Sequence, residues 1–273
     1  MNRRRIFTLA CGFFLSLLLS ISCSRPQSTE PQAGNATLVS GTEQTELTVS
    51  AAASLTDAMM AIQPLYEQEY PNVKLLYNFA SSGSLQQQIE QGAPVDVFIS
   101  AAPKQMNALE EKGLIVNETR QDLLKNEMVL IVPPGNNTVK TFEDLANDQV
   151  KKIAVGEPES SPAGKYAQEV LTSLNLLETL QPKEVYAKTV RQVLSYVETG
   201  NVEAGIVYSS DAQVSDKVKI VTTASAEDHS PILYPAAVIK ESNNQEVSQE
   251  FIQFLSSDSA KSVFEKYGFG LVN

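Results

Sequence analysis

The stretch LTVSAAASLTD, residues 47–57, passes from an apolar run into a helical pattern within a few positions. Residues 47–49 predict a strand, and the apolar spacing over residues 55–70 predicts a helix. Ser54 stands three residues before Asp57, which is the spacing of a capping box, so we predict that Ser54 is the helix N-cap. Its hydroxyl and the first-turn amides would then point outward, toward any ligand at this end of the strand.

The same alternation of short apolar runs and helical patterns continues along the chain. Strands are predicted at residues 47–49, 73–79, 95–100, 128–132, 152–155, 204–208, 219–221 and 236–239. Helices are predicted at residues 55–70, 85–91, 104–112, 142–147, 165–174, 190–199, 247–255 and 260–267. Such alternation is typical of βαβ units around mostly parallel sheets, so the predicted fold class is α/β. Pro64 lies inside the first helix and predicts a kink or an early break.

Composition and charge narrow the class of protein. The chain has 273 residues, of which 42% are hydrophobic and 19% charged, and its formal net charge is -11. This composition indicates a soluble globular body with room for two modest α/β lobes. The acidic excess argues against nucleic acid as a partner. It also means that a bound anion would have to be held by local dipoles, because the overall field of the protein repels anions.

The N-terminus has the pattern of an export signal. Three arginines at residues 3–5 precede an apolar run at residues 6–21, which predicts a signal peptide over residues 1–22. Cys23 closes the segment LSISC, which resembles a bacterial lipobox, so we predict lipidation of Cys23. Ser20 stands where Leu is usual, which leaves ordinary cleavage open, and the choice between Sec and twin-arginine export is open too. The polar residues that follow predict a lipid-anchored flexible tether over residues 23–46.

Loops that lead from a predicted strand into a helix are rich in small and hydroxyl residues. They lie at residues 51–57, 79–84, 156–164, 187–191 and 205–211. Ligands of open α/β sheets bind at this end of the strands. Helix N-termini present unpaired N–H groups and a partial positive charge, so these loops together predict an anion site. Taken one at a time, each is explained as well by ordinary capping or turn formation.

Charged and catalytic side chains are expected to contribute little. Lys188 and Arg191 are predicted to lie on a solvated face. His229 is the sole histidine of the sequence and lies in a polar segment, and no Gly-x-Ser-x-Gly motif occurs. A hydrolase would therefore lack its base, and the body, which has no cysteine, is not expected to hold a transition metal. We predict a binding protein that is not an enzyme and that needs no cofactor.

Five motifs, in order along the body, resemble those of the periplasmic molybdate-binding proteins. They are AAASL (51–55), FASS (79–82), GAPVDVFISA (92–101), PAG (162–164) and GIVY (205–208), and the closing YGF (267–269) resembles the family's C-terminal signature. The resemblance implies a type II periplasmic-binding-protein fold. One lobe would comprise residues 47–124 and 234–273 and the other residues 125–233, with two hinge crossovers near residues 123–126 and 232–234.

In that family, uncharged groups hold the oxyanion between the two lobes. The positions that match the family's binding residues are Ser54 and Ser82 through hydroxyl and amide, Ala163 and Val190 through backbone N–H, and Tyr208 through its phenol. Two positions depart from the family pattern: Ser50 replaces an aromatic residue at the end of the first strand, and Gly83 stands where relatives often carry Ser. The glycine is expected to loosen its loop.

The resemblance also implies a function. The chain would be a monomeric, periplasmic or otherwise extracytoplasmic protein, lipid-anchored to a membrane, that captures molybdate and also tungstate. It would deliver the oxyanion to the membrane permease of an ABC importer. A binding protein for sulfate, thiosulfate, phosphate or a metal cation is the alternative, because the sequence does not give the size of the cavity.

Overall fold

The computed structural model describes residues 44–272. The strands are β1 (Thr45–Ala52), β2 (Val73–Ala80), β3 (Val97–Ile99), β4 (Gln121–Lys125), β5 (Met128–Val132), β6 (Ile153–Gly156), β7 (Glu184–Ala187), β8 (Ala204–Tyr208), β9 (Lys219–Thr223), β10 (Leu233–Val238) and β11 (Gly270–Leu271). The helices are α1 (Thr56–Glu69), α2 (Ser82–Glu90), α3 (Pro103–Glu111), α4 (Pro162–Ser173), α5 (Leu177–Leu180), α6 (Val190–Glu198), α7 (Ser209–Gln213), α8 (Gln245–Leu255) and α9 (Asp258–Lys266). The predicted signal peptide, Cys23 and the tether up to residue 43 lie outside the described residues.

The strands form two sheets, each covered by helices, which confirms the α/β two-lobe fold. The first sheet has the strand order β11-β4-β10-β3-β1-β2, and the second has the order β7-β6-β8-β5-β9. We call the first sheet with its helices the first lobe and the second sheet with its helices the second lobe. The limits of the lobes within the connecting segments stay a prediction.

The expectation of mostly parallel sheets was wrong in detail, because both sheets are mixed. β1 pairs in parallel with β2 and β3, and β6 pairs in parallel with β7 and β8. β10 and β5 are antiparallel to both of their neighbours. These two strands enter a sheet from the other lobe, so no right-handed βαβ crossover fixes their direction.

Two short connections join the lobes. One runs from Lys125 at the end of β4 to Met128 at the start of β5, and the other runs from Thr223 at the end of β9 to Leu233 at the start of β10. The Asn126 amide donates a hydrogen bond of 3.2 Å to the carbonyl of Ile232, so the two crossovers are bonded to each other. They lie close to the segments predicted as hinges.

Several elements differ from the sequence-based expectation. β4, β7 and β11 were not predicted, and residues 142–147 form a short 3-10 turn, Glu143–Ala146, instead of a helix. α1 continues through Pro64 to Glu69, so the predicted early break was wrong. Pro64 and Met60, four residues earlier, are both exposed, so water can bond the carbonyl that the proline leaves unpaired.

Aromatic packing ties the C-terminal part of the chain to the first lobe. Tyr66 of α1 is fully buried, and its ring centroid lies 4.9 Å from that of Phe251 and 5.1 Å from that of Phe254, both on α8. Edge-on contacts of this kind stabilise a core beyond the area that they bury.

Within the described residues, no helix is long and apolar enough to cross a membrane.

Candidate oxyanion site between the lobes

One small cavity collects all five residues that the sequence singled out. Ser54 and Ser82 come from the first lobe, and Ala163, Val190 and Tyr208 come from the second. The remaining lining residues are Ala52, Ala53, Ala80, Ser81, Ala101, Ser161 and Pro162. The cavity is small: the volume that the centre of a water molecule can reach is about 10 Å³, about the least that holds one water. The lining contains no charged side chain.

Ser54 is not the helix N-cap that its spacing predicted. It lies in the 3-10 turn Ala53–Leu55, and α1 begins after Leu55 without a side-chain cap. The amide of Thr56 bonds to the carbonyl of Ala53, three residues earlier, so the chain closes a 3-10 turn before the helix begins. Ser54 is 2% exposed, and its hydroxyl lies 2.9 Å from the hydroxyl of Tyr234. Its side chain therefore points inward, toward the connection between the lobes.

Ser82 is the first residue of α2 and is fully buried. Its hydroxyl oxygen accepts a hydrogen bond of 2.9 Å from the backbone amide of Ala101. The hydroxyl hydrogen remains free to donate, since a serine hydroxyl can donate and accept at the same time. Ser82 can thus offer an anion both its hydroxyl and its amide.

Ala163 and Val190 lie in the first turns of α4 and α6. Pro162 takes the start of α4, as predicted, and the hydroxyl of Thr189 caps α6 by accepting from the amide of Gln192 at 3.2 Å. A Cβ on Gly164 would lie 2.2 Å from the carbonyl oxygen of Gly156, so glycine at this position lets α4 begin against the end of β6. These features fix where the two backbone amides point.

Backbone amides in the cavity wall lack partners. The N–H groups of Ser54, Ser82, Ala163 and Val190 make no backbone hydrogen bond outside the regular helices and strands, and N–H groups in the first turn of a helix have no partner within it. Buried amides are nearly always bonded, so their joint occurrence at one point needs an explanation. Three of them lie in the first turns of α2, α4 and α6, where the helix dipole adds a partial positive charge. The arrangement suits an anion.

Tyr208 contributes a further free donor. Its side chain is 1% exposed, and its hydroxyl has no hydrogen-bond partner among the described residues. Burial raises the pKa of the Tyr208 phenol well above its ordinary value, so the group stays protonated and can donate. An unpaired buried hydroxyl costs about 1–3 kcal/mol, which a bound acceptor would recover.

Arg191 does not lie on a solvated face, and that prediction was wrong. Its side chain is 21% exposed and forms ion pairs with Asp57 at 2.5 Å and with Asp211 at 2.9 Å. Sequence reasoning missed these contacts because the partners are distant along the chain and no local spacing links them. Lys188 is exposed, as predicted.

Gly83 joins the lobes instead of loosening its loop. Its amide donates a hydrogen bond of 2.9 Å to the carbonyl of Ser160 in the second lobe. A Cβ at this position would lie 2.5 Å from that oxygen, closer than side chains pack. The absence of a side chain thus permits the backbones of the two lobes to touch here.

The geometry does not support the hypothesis that the chain is an enzyme. His229 is not part of the cavity wall, and its Nδ1 lies 2.8 Å from the carbonyl of Ser230. Among the described residues, no group of three His, Cys, Asp or Glu side chains could hold a metal ion.

Asp211 is a buried carboxyl beside the site. It is fully buried, and although Arg191 lies within ion-pair distance, neither carboxylate oxygen has a well-aligned hydrogen-bond donor. The pKa of Asp211 is raised to about 7, chiefly by burial and also by the nearby Asp57 carboxylate, while the Arg191 guanidinium opposes both effects. The desolvation penalty therefore exceeds the attraction of the cation.

We predict that Asp211→Asn changes how stability depends on pH. In the unfolded chain Asp211 ionises near pH 4, but in the folded protein it stays protonated up to about pH 7. The wild type therefore loses stability as the pH rises between these values, whereas the variant lacks this loss. Urea denaturation should show the free energy of unfolding of the wild type falling by a few kcal/mol relative to Asp211→Asn over this range. Parallel pH profiles would contradict the raised pKa.

Comparison with known proteins places the chain in a family. The model of the bacterial extracellular solute-binding proteins matches residues 47–270. YvgL of Bacillus subtilis (strain 168), which carries the provisional name of an ABC transporter substrate-binding lipoprotein, is 46% identical over 264 residues, 96% of this chain and 97% of YvgL. The molybdate-binding protein ModA of Haemophilus influenzae is 40% identical over 229 residues, 82% of this chain and 89% of ModA.

Solved structures agree. The substrate-binding domain of a protein from Clostridium difficile, provisionally described as a molybdenum ABC transporter, superposes with a TM-score of 0.67 at 51% sequence identity. The match covers 84% of this chain and 100% of that domain. The chain belongs to the ModA family of bacterial extracellular solute-binding proteins.

Proposed function

We propose that the chain captures molybdate, and tungstate as a near-equal ligand, between its two lobes and delivers it to the membrane permease of an ABC importer. The observation that carries this proposal is the set of unpaired donors, four amides and the Tyr208 hydroxyl, around a cavity without a charged side chain. The names of the ModA relative and of the Clostridium difficile transporter supply the choice of molybdate. We expect the protein to act as a monomer.

The charge of the ligand follows from the donors. A tetrahedral dianion without protons can accept a hydrogen bond from each of them. Monohydrogen phosphate carries a proton that needs an acceptor, and the cavity wall has no carboxylate to provide one. Phosphate is therefore the weaker alternative, whereas sulfate and thiosulfate differ from molybdate mainly in size. The lack of carboxylates likewise disfavours a metal cation as cargo.

Calorimetric titration with molybdate, tungstate, sulfate and phosphate tests the assignment. We expect molybdate and tungstate to bind with similar affinity, and sulfate and phosphate to bind at least about tenfold more weakly, a difference of about 1.4 kcal/mol. Tighter binding of sulfate than of molybdate would overturn the choice of ligand.

Tyr208→Phe should weaken anion binding and leave folding intact. Loss of a hydrogen bond to a charged ligand costs about 1.5–3 kcal/mol, or about 10- to 150-fold in affinity. The ligand-free variant should be as stable as the wild type or more stable, because the change removes an unpaired buried hydroxyl. Calorimetry and thermal denaturation measure the two effects.

Tyr66→Phe is the matched control for this variant. The hydroxyl of Tyr66 is also buried without a partner, but it lies in the core of the first lobe, away from the cavity. This control should leave the affinity unchanged. Equal affinity of Tyr208→Phe and the wild type would remove Tyr208 from the site.

We propose that Cys23 anchors the protein to a membrane through a lipid. The provisional name of YvgL describes that relative as a lipoprotein, which supports the proposal. In cells, Cys23→Ser should move the protein from the membrane fraction to the soluble fraction. Cys11→Ser is the control, because Cys11 lies inside the predicted signal peptide and should not affect the distribution. A Cys23→Ser protein that stays with the membrane would contradict lipidation at this residue.

A further inference from the structure

Arg191 crosses from one lobe to the other beside the cavity. It follows Val190 at the start of α6 in the second lobe, and its guanidinium reaches the loop after β1 in the first lobe. On that side, its Nε lies 3.3 Å from the carbonyl oxygen of Ala53, and its Nη2 lies 3.3 Å from that of Ser54. Together with the ion pair to Asp57, Arg191 therefore makes three contacts with the first lobe.

Asp211 lies beside the same Nε atom of Arg191. Its Oδ1 lies 2.9 Å from Arg191 Nε, within the second lobe and three residues after Tyr208. The carboxyl is fully buried, so the guanidinium is directed toward the first lobe by a group that cannot move into solvent. Arginine suits this role because its planar fork of donors can bond several acceptors at once.

The contacts of Arg191 are shared with the residues of the cavity. Val190 precedes it in the chain, and Ser54, whose carbonyl accepts its hydrogen bond, is itself a residue of the cavity wall. Arg191 itself is not part of the cavity wall. Its charge is taken up by carboxyl and carbonyl oxygens, so it acts on the site through position and not as a direct ligand.

We propose that Arg191 is a positioning residue that clamps the two lobes together, with Asp57 as its partner across the cleft, and so holds the Ser54 and Val190 donors around one anion. This inference rests on the proposed function. An anion bound by donors from both lobes needs them closed, and the apparent affinity falls with the fraction of molecules that are closed. The clamp sets that fraction.

Asp57→Asn is the sharpest test, because Asp57 has a half-exposed side chain, 44% exposed, and its loss should not disturb folding. We expect its molybdate affinity to fall about tenfold through faster dissociation, with little change in the association rate. Glu69→Gln is the control: it removes the same charge from an exposed position at the far end of α1. It should bind like the wild type.

Arg191→Gln and the double variant complete a thermodynamic cycle. If Arg191 and Asp57 act as one clamp, Asp57→Asn should cost no further affinity in the Arg191→Gln background. Arg191→Lys should fall between Arg191→Gln and the wild type, because an ammonium keeps the charge but loses the fork. Thermal denaturation of each variant separates lost affinity from lost folding.

X-ray scattering of the ligand-free variants provides a readout that does not depend on the ligand. Asp57→Asn should have a larger radius of gyration than Glu69→Gln. Equal affinity together with equal radius of gyration in these two variants would overturn the clamp while leaving the proposed function intact. If the wild type bound no molybdate, the proposed function would fail, and the scattering comparison would decide the clamp by itself.

Discussion

An anion held without a cationic side chain depends on donors that have no other partner. In this protein the amides of Ser82, Ala163 and Val190 each lie in the first turn of a helix, and none of them makes a backbone hydrogen bond outside the regular helices and strands. A helix start offers such amides at no extra cost, because its first N–H groups lack intrahelical partners in any case. The donors belong to different lobes, so the strength of the site depends on where the lobes meet.

The connection between the lobes and the site belong to one hydrogen-bond network. The Ser54 hydroxyl lies 2.9 Å from the Tyr234 hydroxyl, which accepts from the Asn126 side chain at 3.2 Å. Asn126 also donates to the Ser210 hydroxyl at 2.8 Å, so the chain of bonds runs from the cavity through a crossover to the start of α7. Buried networks of this kind tend to have few alternative arrangements. A shift of the crossover would therefore also move the Ser54 side chain.

The sequence predicted the parts of this arrangement that have local causes. Pro162 and Thr189 mark helix starts by their own chemistry, which placed Ala163 and Val190 correctly in first turns. The edge strands β7 and β11 escaped prediction because they are short and partly exposed, so their pairing and not an apolar pattern defines them. Ser54 and Arg191 were misjudged for a different reason. Their orientation depends on Tyr234, Asp57 and Asp211, and no spacing in the sequence records these contacts.

The acidic character of the chain, with a net charge of -11, acts on the anion differently at long and short range. At a distance the protein repels a dianion, and dissolved salt screens that repulsion within about 10 Å. Inside the cavity the amides and the Tyr208 hydroxyl are buried, so salt screens their attraction far less. A site built on a cationic surface would lose its attraction in a saline medium. A site built on buried dipoles keeps its attraction and loses the opposing repulsion, which suits a protein that works outside the cytoplasm, where the ionic medium is not under the cell's control.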